Sequence, residues 1–94
     1  MIKKFTLGAK EYTIDYPDYI EGDLGKAESY LNNLKVATKH NGIDIPESSI
    51  EQSMYHELVH AILDEIGELD LSKSETFVQS FALLLHQFDK TKRH

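Results

Sequence analysis

Between Ser48 and Gly67 apolar residues recur at helical spacing, and inside that run stands His56-Glu57-Leu58-Val59-His60. Tyr55, Leu58, Val59, Ile62, Leu63 and Ile66 fill one broad arc of such a helix, with His56 and His60 at its edge. A helix of this length with so wide an apolar arc must be covered by most of what else a 94-residue chain can supply. Its ends are marked. Ser48-Ser49-Ile50-Glu51 has capping-box spacing just after Pro46, and Gly67 suits a left-handed stop.

Two histidines four residues apart lie about 40° from each other around a helix axis, so both imidazoles reach one point in space. Zinc needs nitrogen, sulfur or oxygen donors at tetrahedral angles, and such a pair supplies two corners. The intervening glutamate, Glu57, is then the candidate base that holds and deprotonates a water at an open corner. The plain alternative is two surface histidines on a core helix.

The rest of the chain reads as one domain over residues 1–94. Hydrophobic content of 40% and charged content of 28% are those of a soluble globular protein. Without cysteine, disulfides and thiolate metal sites are excluded, which suits a reducing, cytoplasmic setting. A net charge of −6 opposes a phosphate backbone, so no nucleic-acid partner is expected. No apolar run is long enough for a membrane span, and Met1–Phe5 lacks a signal-peptide core.

Residues 2–7 and 10–16 alternate as a β-hairpin about Gly8-Ala9. Tyr12, Tyr16 and Tyr19 read as a half-buried sheet face rather than a binding strip. Residues 21–33 are turn-rich and give no clear element. Leu34–Lys39 alternates as a strand, and Lys35 and Lys39 suit an exposed edge. Asn41-Gly42 signals a hairpin, with Ile43–Ile45 returning. Ser72-Lys73-Ser74-Glu75 repeats the capping-box spacing, and a second helix is expected from there to about Lys90. Phe77, Phe81, Leu84 and Phe88 fall on one side of it, a stripe that reads as core. Glu75, Gln79, Ala82 and His86 fall on the other.

A hydrolytic zinc site needs a third protein ligand and one open position. Fourteen residues separate Glu75 from His60, enough for one helix to end and the next to return. The competing role for Glu75 is to cap the amide of Ser72. His86 is the other candidate. It lies about 16 Å further along the second helix, so one ion cannot take both. Strictly antiparallel packing would favour His86, because Glu75 would then face Leu63 or Asp64. Asp64 is placed to orient His60 from behind.

The pairing of His56-Glu57-Leu58-Val59-His60 with Glu75-Thr76-Phe77-Val78-Gln79-Ser80-Phe81-Ala82 resembles the ImmA/IrrE-type metallopeptidases and other minimal zincins with a glutamate ligand. That family joins H-E-x-x-H to a downstream E-x-x-A-N-x-F-A helix. Glu75, Phe81 and Ala82 match it; Val78 and Gln79 replace its Ala-Asn pair. Size and layout are also similar to small phage- and prophage-encoded zincin-like proteins. The resemblance spans about residues 48–90. It implies Zn2+ held by His56, His60 and Glu75, with Glu57 as catalytic base, and thus a metalloendopeptidase of gluzincin type.

The expected architecture is α+β: a small, mainly antiparallel sheet packed on two helices, zincin-like. The expected activity is zinc-dependent hydrolysis of a peptide or protein substrate lying along residues 34–39. The expectation from another class is a catalytically silent zincin-fold binding or regulatory module, docking through Phe77, Phe81, Leu84 and Phe88. A homodimer through the same helix is compatible with either.

Overall fold

The computed structural model describes residues 1–94 and has an α+β architecture. Strands β1 (Lys4–Leu7) and β2 (Lys10–Asp15) form the expected hairpin, turning at Gly8 with φ of 61°. Phe5 and Tyr12 face each other across it and their rings stack at 5.2 Å, a favourable cross-strand pair. β3 (Gly25–Glu28), a 3-10 turn (Ser29–Leu31) and β4 (Asn33–Val36) follow. The sheet order is β1-β2-β4-β3; β2 and β4 are parallel and the other two pairs antiparallel.

This order corrects one expectation. Leu34–Lys39 is not an exposed edge. Its first half is β4, paired on both sides, and Lys35 meets Glu28 at 3.1 Å on the outer face. The run breaks at Ala37 and Thr38, whose amides donate to Leu24 and Pro17. Lys39–His40 (β5) then pairs with Ile43–Asp44 (β6) in a separate ribbon about Asn41-Gly42, both at positive φ. The edges are β1 and β3, and β3 falls in the stretch that gave no sequence signal. Gly25-Lys26-Ala27-Glu28 has weak strand propensity and is a strand because β4 pairs with it.

Tyr12, Ile14, Leu34 and Val36 bury one sheet face against α1 (Glu47–Glu65), where Ile50, Met54, Tyr55, Val59, Ala61 and Leu63 complete the core. Pro46, not a serine, occupies the N-cap position of α1, with no side-chain cap. The C-terminal stop is as expected: Gly67, at φ of 80°, donates to Asp64 O and Glu68 donates to Leu63 O, the two bonds of a Schellman motif.

The link after Gly67 is itself a one-turn helix, α2 (Leu69–Ser72), so Ser72 does not open the second long helix. Ser74 does, its Oγ accepting from the Phe77 amide, and α3 runs Glu75–Thr91. α3 returns along α1 with Glu75 beside His56 and His60, Gln79 beside His56 and His86 beside Gln52. Its buried face is Val78 and Ala82, both without exposed surface. Phe81, Leu84 and Phe88 are not core; they are 50%, 65% and 63% exposed, because α3 packs against α1 and α2 and nothing covers its far side. No helix is long and apolar enough to cross a membrane.

Candidate metal centre

His56 and His60 leave α1 at the border between the sheet side and the α3 side, as their place at the edge of the apolar arc requires. Glu75 meets them from the first turn of α3. His56 Nε2 lies 3.1 Å from one Glu75 carboxylate oxygen and His60 Nε2 lies 3.5 Å from the other. One donor atom from each of the three residues lies within 4.8 Å of the others. Donors set tetrahedrally at about 2.0–2.1 Å from zinc stand roughly 3.3 Å apart, so these spacings fit one ion.

The outer hydrogen bonds fix which ring nitrogens face inward. His56 Nδ1 lies 2.8 Å from Gln79 Oε1, which only accepts, so Nδ1 carries a hydrogen and Nε2 faces Glu75. His60 Nδ1 lies 3.1 Å from Ser72 Oγ, a hydroxyl able to accept from it, and its Nε2 also faces Glu75. Two inward ring nitrogens and a carboxylate converge while the outer nitrogens are already engaged, as the ligands of one ion do. The donor set therefore fits a metal ion.

α2 explains how Glu75 reaches this level. It carries the chain back along α1, so that Ser72 already lies beside His60 before α3 begins. Glu75 is the first residue of α3 and does not cap Ser72, whose hydroxyl belongs to His60. Asp64 does not orient His60; it accepts from Ser29 Oγ at 2.6 Å. His86 is remote from the ligand set. Its Nδ1 is bound to Gln52 and its Nε2 to Glu51, and it stacks on Tyr55 at 4.9 Å.

Glu57 points to the sheet side and is only 8% exposed. Burial, then the charges of Asp23 and Glu75, push its carboxyl up to about 8. A cation held by the neighbouring ligands would oppose that shift. The carboxylate rests on Gly25 of the edge strand: a Cβ there would stand 2.5 Å from Glu57 Oε2. Two adjoining hollows, of about 270 and 310 Å3, open on either side and share Asp23, Gly25, His56, Glu57 and Glu75. Neither is lined by a tyrosine or by His86; Gln52, Ser53 and Lys26 are their other polar side chains off the ligand set, with Gln79 and Asp64.

Sequence reasoning missed Gly25, Asp23 and Ser72. Gln79 carried a signal, since it shares the helical face of Glu75 one turn on. Gly25 carried none, because its role is set by a contact 32 positions away. No protein-family model, curated protein or solved structure matches this chain.

Proposed function

We propose that this chain is a zinc-dependent peptide hydrolase of the glutamate-ligand zincin type. The observation that carries the reading is the convergence of His56, His60 and Glu75 at zinc-like spacings with the buried Glu57 carboxylate beside them. Zinc bound there would polarise a carbonyl and lower the pKa of a water toward neutrality. His56 and His60 are held as lone-pair donors by Gln79 and Ser72. Glu57 takes the proton of an attacking water and returns it to the leaving amine, a role that the charge of a bound cation serves by keeping its carboxylate ionised. Gly25 keeps Glu57 in place and leaves the strand backbone close to the site. An extended substrate backbone would pair along β3, the edge that flanks the two hollows, and not along β4.

The uncovered apolar stripe of α3 favours a second reading, a silent module that acts by docking. One substitution separates the two. Glu57→Gln should retain a full equivalent of zinc and lose hydrolysis of a peptide library by at least about a thousandfold. Wild-type protein that takes up zinc and cleaves no member of the library supports the module instead.

A further inference from the structure

We propose that α3 is the seam of a two-fold, antiparallel homodimer of this chain. Phe77, Phe81, Leu84 and Phe88 lie on one stripe of α3; Phe77 is half-buried at its upper edge and the other three are at least half exposed. Phe77 and Phe81 already pack on each other at 5.8 Å. Exposed apolar side chains in such a row mark a contact surface.

Three features select a second copy as the occupant. The steps along the stripe are four, three and four residues, the alternation of a helix-pairing seam. That order reads the same in both directions. A copy turned end for end about a two-fold axis between Ala82 and Leu83 sets Phe77 against Phe88 and Phe81 against Leu84, so one patch complements itself. Next, the outer flank of the stripe is uncharged: Ser80 and Gln87 line it, and no like charges face each other along the middle of the seam. Last, the two ends carry opposite charge. Over residues 68–75, three acids and one lysine leave −2; over residues 89–94, three bases and Asp89 leave +2. Antiparallel pairing sets the −2 end of one helix beside the +2 end of the other and opposes their helix dipoles. Parallel pairing sets like on like.

The area sets the strength. Four side chains of this size, about half uncovered, offer roughly 400 Å2 per protomer, so the dimer buries roughly 800 Å2. That is the range of reversible contacts, and dissociation is expected at on the order of 10–100 µM. The proposal rests on α3 alone and is independent of the metal and of catalysis.

The test uses the whole chain. Sedimentation velocity from about 5 µM to about 1 mM should show a concentration-dependent shift from monomer to dimer. Leu84→Asp should weaken association at least about thirtyfold with helical content unchanged, because Leu84 is exposed in the monomer. Leu83→Asp is the control: Leu83 is 45% exposed but lies off the stripe, and its substitution should leave association within about twofold of wild type. The chain has no cysteine, so single spin labels can be placed at will. Labels at Ser80→Cys should lie close across the seam, while those at Thr91→Cys should stand about 25 Å apart along the axis. Three results overturn the proposal: wild type that stays monomeric to about 1 mM, including one that binds a foreign helix or a lipid surface instead; Leu83→Asp disrupting as much as Leu84→Asp; or labels at Thr91 as close as those at Ser80.

Discussion

The contact between Gly25 and Glu57 makes a prediction whose sign can be worked out. The backbone of Gly25 is not in the left-handed region, so alanine is locally allowed there. Gly→Ala at such a site ordinarily stabilises by about 0.4–1 kcal/mol, by narrowing the unfolded ensemble. Here the added Cβ would lie 2.5 Å from Glu57 Oε2 and 3.1 Å from both Cδ and Cγ. Ordinary contact needs roughly 3.5 Å, so the carboxylate must move by about 1 Å. α1 is packed on the sheet and cannot retreat as a body, which leaves a side-chain adjustment. Overpacking of this kind costs about 1–3 kcal/mol. The balance is a loss of about 0–2.6 kcal/mol for Gly25→Ala alone. In a Glu57→Ala background all three close atoms are gone, and the same substitution should become stabilising by about 0.4–1 kcal/mol. The coupling between the two sites is therefore about 1–3 kcal/mol. Urea unfolding of the four proteins, metal-free and at one pH, measures it. Equal effects of Gly25→Ala in the two backgrounds would refute the close approach, and with it the placement of the Glu57 carboxylate against the edge strand. The kinetic corollary is a loss of about a hundredfold in hydrolysis for Gly25→Ala, since a shift of about 1 Å at a reacting group has that scale.

Other outcomes follow from the same site and from the far end of the helix pair. One equivalent of zinc, at a hundredfold excess over its dissociation constant, should stabilise the fold by about 2.7 kcal/mol and raise the melting temperature by roughly 10–20 °C. Glu75→Ala should reduce that affinity more than tenfold and His86→Ala much less; calorimetric titration giving the reverse order would remove Glu75 from the ligand set. Gln79→Ala and Ser72→Ala should each weaken zinc binding by about 10–100-fold without removing a ligand, since each holds the outer nitrogen of one histidine. Affinities within about twofold of wild type would contradict this. On the acid side, the Tyr55 hydroxyl and Lys92 hold the Asp89 carboxyl below its usual range, and Lys90 with His86 does the same for Glu51. Their stabilisation is whole above the ordinary carboxylate range, near about pH 4, and is lost as pH falls through the depressed folded values. Melting curves from neutral to strongly acidic pH should show Asp89→Asn with Glu51→Gln less acid-sensitive than wild type; equal slopes would argue against the network.

Much of the helical part was legible in the sequence. The histidines, the Gly67 stop and the shared face of Glu75 and Gln79 are local patterns that a helix converts directly into geometry. The hairpin of β1 and β2 was legible too, because its residues alternate and its turn is explicit. β3 was not: Gly25 and Ala27 are small because α1 lies against them, and that contact is invisible before the chain is folded. α2 hid because Ser72-Lys73-Ser74-Glu75 carries the capping-box spacing, while Ser74, which does cap α3, has Phe77 and no acid three residues on. The reading of Phe81, Leu84 and Phe88 as core failed for a different reason. Periodicity identifies an apolar face but not whether the chain contains anything to place upon it.

In the proposed hydrolase the ligand set and the base would draw on contacts of different span along the chain. His56, His60 and Glu75 fall within twenty consecutive residues, and the hydrogen-bond partners Gln79 and Ser72 fall in or just beside that stretch. Bringing such a segment together closes a short loop at small entropic cost. The seat of Glu57 is different. It needs Gly25 of β3, 32 positions away along the chain, and β3 in turn is held by β4. Closing that wider span costs more chain entropy. On the proposed function, a chain opened at the sheet would still hold an ion while its carboxylate stood free in solvent, and closure of β3 over α1 would take that carboxylate out of water. Metal capture and chemical competence would then be separable by loosening the sheet alone.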